Sequence, residues 1–300
     1  IYEKTFNIDP DGIKKAIKFA KNQNLAPKAI IPVDLFGLPA RHRLIDEIAK
    51  KHNLIVIEDF AQAFGSSIRG KKAGSFGDVS STSFYPAKPL GCYGDGGAIF
   101  TDDSDLAQKM ISIRVHGAGV NKYQNVRVGL NGRLDTIQAA ILLEKFNIFE
   151  DELISRNTIA DYYKKNINSN FITPPFIPKN YTSSWAQFSL LASNELERKR
   201  ILNEFSLQKI PTAIFYSIPL HLQKVFKNLN YKKNSFPVAE KISNRIFSIP
   251  MHPYLDLRDQ EKVLSVLSNY RNWLASFNKY IPYLLLIISL PSSRSCFFEM

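Results

Sequence analysis

The run Leu54-Ile-Val-Ile-Glu-Asp59 decides the fold when it is read with Leu44-Ile-Asp-Glu-Ile-Ala-Lys50 just before it and Lys28-Ala-Ile-Ile-Pro-Val33 before that. The outer two runs are short, continuous and β-branched, the pattern of strands buried on both faces. The middle run spaces Leu44, Ile45, Ile48 and Ala49 along one side of a helix, with charges on the other. Strand, helix and strand in this order predict an α/β fold, a mainly parallel sheet with helices on both faces. Ligands of such sheets lie beyond the carboxyl ends of the strands, which draws attention to Asp59.

Working outward, Asp9-Pro10-Asp11 ahead of Gly12–Ile17 predicts a helix with an acidic cap and an early proline. Gly74-Ser-Phe-Gly-Asp78 reads as a turn. It is followed by a strand near Val79–Phe84, a loop around Lys88, a strand over Ala98–Thr101 and a helix from Ser104 through Val115. Apolar residues from Ile137 to Phe149 keep helical spacing and predict one long helix from Leu134 to about Tyr163, bridging two domains. Beyond the proline-rich connector Phe171–Pro178, a strand over Trp185–Leu191 and helices over Glu195–Gln208 and Pro237–Ser248 predict a small α+β domain. The expected division is therefore 1–150, 151–270 and an atypical hydrophobic tail, 271–300. Within that tail Ile281–Leu290 is shorter than the roughly 20 residues a membrane helix needs. No internal repeat interrupts the chain. It opens without an initiator Met or signal peptide, as a chain entering in mid-fold would.

Composition narrows the classes. Hydrophobic residues at 45% and charged residues at 22% of 300 are those of a globular protein with ample core. The net charge of +12 is spread over short pairs such as Lys14-Lys15, Lys50-Lys51 and Lys232-Lys233. No basic stripe with interleaved aromatics appears, so nucleic acid is not expected as a partner. The charge suits anionic small molecules instead. Cys92 and Cys296 are the only cysteines, which excludes a disulfide framework and a cysteine metal site and fits a reducing cytoplasm. His52, His221 and His252 stand in separate contexts, so no metal site is expected.

The chemistry-bearing stretch is Ser80–Gly97, where Lys88 stands between Pro86 and Pro89 ahead of Gly91, Gly94, Gly96 and Gly97. The prolines stiffen the turn and the glycines permit close approach of the backbone. A lysine held so is either a solvated surface residue or a Schiff-base nucleophile. Asp59 reads as the cap of a following helix or as the carboxylate partner of a heterocyclic nitrogen, with Gln62 close to the same ring. Ser83 is a strand-end hydroxyl or a phosphate ligand. Asn131-Gly-Arg133 either caps the next helix or holds phosphate or carboxylate. No Gly-Lys-Ser/Thr follows the glycines, and a strand comes next instead of a helix, so neither a P-loop nor a dinucleotide fingerprint is present. A Ser–His–Asp hydrolase lacks its Gly-x-Ser-x-Gly elbow.

Ile57-Glu-Asp-Phe-Ala-Gln62, Gly74-Ser-Phe-Gly-Asp78, Ser83-Phe-Tyr-Pro-Ala-Lys-Pro-Leu-Gly91 and Gly94-Asp-Gly-Gly97 together resemble the DegT/DnrJ/EryC1/StrS family of nucleotide-sugar aminotransferases. The resemblance extends from about Tyr2 to about Tyr270. It implies an aspartate aminotransferase-like, fold type I architecture and pyridoxal 5'-phosphate as cofactor. It further implies that Lys88 forms the Schiff base and shuttles a proton, Asp59 pairs with the pyridine nitrogen, Gln62 lies by the ring and Ser83 binds the phosphate. The counterpart of Asn131 reaches the neighbouring subunit's cofactor, which implies a homodimer with shared active sites. Arg133 and Tyr216 would face the substrate. Val126–Leu143, Pro211-Thr-Ala and Pro250–Asp256 resemble members acting on UDP-2-acetamido-2-deoxy-3-oxo-glucuronate in O-antigen synthesis, with glutamate as amino donor. Two departures stand out. The family carries a segment before this chain's Ile1, with a Gly-Thr turn that grips the phosphate at a helix N-terminus. Members of the finer group have His-Tyr where this chain has Phe215-Tyr216. A non-catalytic remnant is therefore the alternative expectation. A dehydratase of the same family would replace Lys88 by histidine.

Overall fold

The computed structural model describes residues 1–121, 123–167 and 171–268. The helices are α1 (Pro10–Asn22), α2 (His42–His52), α3 (Ser104–Arg114), α4 (Thr136–Asn147), α5 (Phe149–Asn166), α6 (Glu195–Leu207) and α7 (Pro237–Ser243). The strands are β1 (Ala29–Ile30), β2 (Ile55–Asp59), β3 (Ser67–Ile68), β4 (Lys71–Lys72), β5 (Val79–Ser83), β6 (Gly97–Phe100), β7 (Ile172–Thr173), β8 (Tyr181–Thr182), β9 (Phe188–Ala192) and β10 (Ile246–Ile249). A further helix covers 257–268.

The sheet that organises the first half has the order β1-β2-β5-β6. β1, β2 and β5 run parallel, and β6 returns antiparallel along the edge of β5. The alternation of β2 sends Val56 and Glu58 inward and leaves Ile55 exposed. On the inward face α1 and α2 supply Ile13, Ile17, Ile45, Ile48 and Ala49, which pack on Ile30, Leu54 and Val56. Each fully buried aliphatic there contributes about 1.5–3 kcal/mol relative to exposure. Caps fix where the helices start. Asp9 accepts from the N–H of Asp11, and Pro10 stands at the first position of α1. Asp103 caps α3 through Leu106 N, and Asn194 caps α6 through Glu197 N. Near the other face, α4 and α5 contribute Leu142, Phe149 and Leu153 to a cluster with Phe84, Leu90 and Cys92. Between α3 and the β5–β6 edge a trough of about 1040 Å³ is open, with Ile99 and Phe100 exposed beside it.

The second half is built on β10-β9-β7, all antiparallel. α5, α6 and the 257–268 helix enclose Phe188, Leu190, Phe205 and Phe247, which are fully buried. A third small sheet, β4-β3-β8, ties the β3–β4 hairpin to the start of the second half.

Three expectations are corrected. The long helix over 134–163 is two helices, α4 and α5, meeting at Ile148, where φ −107° and ψ 0° break the regular turn. The helix over Pro237–Ser248 stops at Ser243, because Ile246–Ile249 pairs with β9 and buries all four residues. The strand beginning at Trp185 starts at Phe188 instead, Trp185 itself standing at φ 51°. Apolar periodicity alone cannot tell a buried strand from a buried helix turn, and pairing decided these cases. The tail, 271–300, lies outside the described residues. Among the described residues no helix is long and apolar enough to cross a membrane.

Candidate active site

Parallel pairing of β2 with β5 sets Asp59 opposite Ser81. Asp59 therefore ends one strand beside Ser83, which ends the next, both at the carboxyl edge of the sheet. The backbone of Asp59 is locked on its other side: its N–H donates to Pro32 O at 2.9 Å and its carbonyl accepts from Asp34 N at 2.9 Å. Its Oδ1 accepts from Ala61 N at 3.1 Å, so the side chain closes the tight turn leaving the strand. Among the described residues the second carboxylate oxygen takes no hydrogen bond. Ser83 Oγ accepts from Tyr85 N at 3.2 Å, which leaves its hydroxyl proton available to an outside acceptor.

Gln62 lies just beyond this turn. Its Oε1 accepts from Phe36 N at 2.6 Å, and its carbonyl accepts from Ser184 Oγ at 2.9 Å. Its Nε2 reaches the Tyr216 hydroxyl at 3.4 Å, joining two residues remote in sequence. Tyr216 and Phe215 line an apolar cavity of about 690 Å³ with Leu35, Phe36 and His221.

Lys88 rides on a loop closed at both ends. Phe84 N donates to Gly96 O at 2.8 Å, Cys92 N to Phe84 O at 2.7 Å and Lys88 N to Tyr85 O at 2.9 Å. A Cβ at Gly91 would stand 2.7 Å from Tyr85 O, so only glycine lets the loop fold this tightly. Cys92 is fully buried, its thiol directed at Phe84 O and Gly94 O. The Lys88 side chain is half-buried, and among the described residues its ammonium has no hydrogen bond or ion pair. Asn131 and Arg133 are exposed on a segment zipped to the end of α3, through the Val115–Asn131 bridge and Gly132 N to Arg114 O at 2.8 Å. Neither hydrogen-bonds to Asp59, Gln62, Ser83 or Lys88.

Sequence reasoning missed what stands behind Asp59. Glu58 is fully buried, and its carboxylate accepts from Gly74 N (2.7 Å), Phe76 N (2.9 Å), Gly77 N (3.2 Å) and Ser80 Oγ (2.8 Å). The Gly74–Asp78 turn is thus a cradle for that carboxylate. Beside it, Asp34 Oδ1 accepts from Ala40 N and meets His42 Nε2, both at 2.7 Å. Asp34, His42 and Glu58 offer donor atoms within 4.8 Å of one another, all buried. The 2.7 Å contact is a hydrogen bond, closer than two ligand atoms of one metal ion stand, and the Glu58 carboxylate is engaged by four other donors. Burial pushes the Asp34 carboxyl up to about 6, against the lowering effect of its bond to His42. An acidic residue and a histidine flanking Phe36-Gly37 were the available signal.

With this geometry in place, the comparisons decide the family. Residues 1–268 match the model of the DegT/DnrJ/EryC1/StrS aminotransferase family. The chain belongs to that family. It is similar to the UDP-2-acetamido-2-deoxy-3-oxo-D-glucuronate aminotransferase of Pseudomonas aeruginosa, 41% identical over 266 residues, covering 89% of this chain and 70% of that one. The dTDP-3-amino-3,6-dideoxy-alpha-D-galactopyranose transaminase of Aneurinibacillus thermoaerophilus is 38% identical with the same coverage. A DegT/DnrJ/EryC1/StrS aminotransferase from Brucella abortus superposes with a TM-score of 0.86 at 43% identity, over 90% of this chain and 72% of that one. The protein is accordingly a pyridoxal-phosphate-dependent aminotransferase of fold type I, acting in a family of nucleotide-sugar transaminases.

Proposed function

We propose that this chain transfers an amino group from glutamate to a keto-sugar carried on a nucleotide, at the mouth formed by Asp59, Ser83 and Lys88. The observation that carries the reading is that adjacent strand ends carry Asp59 and Ser83, and that the loop bearing Lys88 leaves the second of these ends on a backbone closed by hydrogen bonds. This donor set fits pyridoxal phosphate: an acid for its ring nitrogen, a hydroxyl for its phosphate, an amine for its aldehyde. When bound, the cofactor supplies an aldehyde that accepts the amino group and a ring that withdraws electrons from the reacting carbon.

The roles of the side chains follow from their chemistry. The free oxygen of Asp59 holds a proton on the ring nitrogen by charge–charge attraction. Gln62, anchored through Phe36 and Ser184, stands beside the ring. Ser83 donates to phosphate. Lys88 Nζ would accept the proton leaving the amine-bearing carbon of glutamate and pass it to the cofactor, and in the second half-reaction would carry a proton from the cofactor to the sugar carbon, acting by turns as base and acid. Asn131 and Arg133, exposed and without a hydrogen bond to Asp59, Gln62, Ser83 or Lys88, serve the mouth of a second copy, Asn131 at phosphate and Arg133 at an acidic sugar, with Tyr216 beside the substrate. UDP-2-acetamido-2-deoxy-3-oxo-glucuronate is the substrate best supported, by the Pseudomonas relative and by the excess of positive charge. The pathway is then surface-polysaccharide synthesis in the cytoplasm. Phe215, in place of histidine, is the residue that argues for a different sugar.

The test is a cofactor titration followed at the visible absorbance of the Schiff base, on the wild type and on Lys88→Ala. A band that forms only with Lys88 present, and product amino-sugar by mass spectrometry with glutamate and the UDP-keto-uronate, supports the reading. Identical titrations of the two proteins would overturn it.

A further inference from the structure

We propose that the cleft between α2 and the β3–β4 hairpin is an anion-binding site, separate from the cofactor mouth, that takes a molecule carrying a diphosphate group. The cleft has a volume of about 470 Å³. Five cations line it, Arg43, Lys50, Arg69, Lys71 and Lys179, against a single acid, Asp46. Two of the five are already neutralised: Lys50 pairs with Asp46 at 2.8 Å and Arg43 with Glu47 at 3.2 Å. Arg69, Lys71 and Lys179 have no carboxylate within ion-pair distance among the described residues. Like charges gathered without a counter-ion repel one another, and an anion bound among them relieves that repulsion.

These three cations are placed by backbone pairing. β3 lies between β4 and β8, with Ile68 opposite both Lys71 and Tyr181. Arg69 turns the hairpin at φ 52°, and its N–H donates to Asn180 O at 2.8 Å. Lys71 lies in β4, Arg69 in the turn of the hairpin and Lys179 in the turn that leads into β8, so one small sheet holds the segments that carry all three before any ligand arrives. The arrangement lowers the ordering that binding would otherwise require.

An independent observation lies at the back of the cleft. His42 lines it and is only 3% exposed, and its Nδ1 is buried without a partner among the described residues. The opposite ring nitrogen is committed to Asp34 at 2.7 Å, and the ring is stacked on Phe76 at 4.6 Å and 9°. A buried imidazole nitrogen with no partner is uncommon, and a water bridging it to a phosphate would satisfy it in either tautomer. The charged and titratable groups around His42 are Asp34 and Glu58 on one side and the cleft residues, with Tyr181, on the other. Three cations without a carboxylate partner, of which Lys71 also lies 5.2 Å over the Phe76 ring, match the charge of a diphosphate better than that of a single carboxylate. The diphosphate can be free or part of a nucleoside diphosphate, and the experiment separates these two sources.

Calorimetric titrations with sodium pyrophosphate and with UDP, each on protein already loaded with pyridoxal phosphate, test the site. The comparison is between the wild type, Arg69→Gln/Lys179→Gln and Lys15→Gln/Lys18→Gln. All four positions are exposed, and both double variants remove two positive charges, so folding and net charge are matched. One equivalent of pyrophosphate should bind, at least tenfold more weakly in the Arg69/Lys179 variant and unchanged in the Lys15/Lys18 variant. UDP binding tighter than pyrophosphate, with the same loss in the variant, assigns the nucleoside diphosphate; equal or weaker binding assigns the free ion. No saturable binding by the wild type, or equal weakening in both variants, overturns the proposal. The outcome is independent of the Lys88 test, since neither variant touches the mouth.

Discussion

Replacing Glu58 with glutamine exchanges one carboxylate oxygen for an amide nitrogen in a place where four donors converge. Oε2 accepts three of them, from Phe76 N, Gly77 N and Ser80 Oγ, and Oε1 accepts the fourth, from Gly74 N. The better amide orientation keeps oxygen at the Oε2 position and turns its NH2 toward Gly74 N–H, leaving two donors facing each other. A buried donor without an acceptor costs about 1–3 kcal/mol. The three surviving bonds lose their ionic component, about half of their strength, for a further ~1–3 kcal/mol together. A neutral amide is easier to dehydrate than a carboxylate, which offsets on the order of 1 kcal/mol. The net expectation is a loss of about 1–5 kcal/mol, centred near ~3 kcal/mol, for Glu58→Gln. Ser80→Ala is the contrast: it removes one donor while Oε2 keeps two others, so its loss should stay near ~1 kcal/mol. Urea unfolding followed by circular dichroism measures both, with the m-value expected to be unchanged. A loss below 1 kcal/mol for Glu58→Gln, or one no greater than that of Ser80→Ala, would refute the cradle argument.

Two further outcomes follow from groups around the mouth. Asp34, with its carboxyl pushed up to about 6 from an ordinary 3.8, binds its proton more tightly folded than unfolded. Its contribution to stability is therefore fully present below about pH 4 and is lost as pH rises through 6, a change on the order of 2–3 kcal/mol. Stability of the wild type minus that of Asp34→Asn, measured by urea unfolding from pH 4 to 7, should fall across this window; a flat or rising difference contradicts the assignment. Gly37 stands at φ 98°, and a Cβ there would lie 2.7 Å from both Ser184 Oγ and Trp185 N. Gly37→Ala should lose about 2–5 kcal/mol from backbone strain and overpacking. Because Ser184 holds the Gln62 carbonyl, it should also weaken cofactor affinity, as an absorbance titration reads.

What was legible in the sequence is what local pattern determines. Leu54–Asp59 is apolar, β-branched and ends in acids, so a buried strand with a carboxylate at its mouth could be read directly. The Lys88 loop was equally open, because its prolines and glycines announce a stiff turn whatever surrounds it. Features made by long-range pairing were not. Ile246–Ile249 has nothing in its own composition to separate it from the preceding helix, and becomes a strand because Phe188–Ala192 lies beside it. Ile148 looks like one more apolar helical position, yet α4 and α5 part there because Phe149 and Leu153 turn in against Phe64 and Phe84. The Asp34–His42–Glu58 cluster exists because the chain after β1 runs parallel to β2, which no single segment encodes. Asn131 and Arg133 were legible as polar residues before a helix, while their pairing with the end of α3 was not.

The residues read as reactive and the residues that were overlooked divide the work at one strand end. Asp59, Ser83 and Lys88 each keep a polar atom without a partner among the described residues, so the placement of those atoms rests on how the backbone behind them is held. Glu58, one residue before Asp59, provides that hold by fastening β2 to the Gly74–Asp78 turn and to Ser80 on β5. Asp78 adds to it by accepting from Val56 N at 2.8 Å, so the turn grips β2 at two points. On the opposite side, Asp34 fixes the segment whose Phe36 N–H holds Gln62. The alternation of a strand makes this possible, since successive side chains point to opposite faces. Glu58 faces the buried core and Asp59 faces the mouth. A change at Glu58 therefore should disturb cofactor binding through the backbone of Asp59, and the affinity lost should track the stability lost across Glu58→Gln, Ser80→Ala and Gly37→Ala. A variant that loses stability at the cradle while keeping wild-type cofactor affinity would break that link between the two faces.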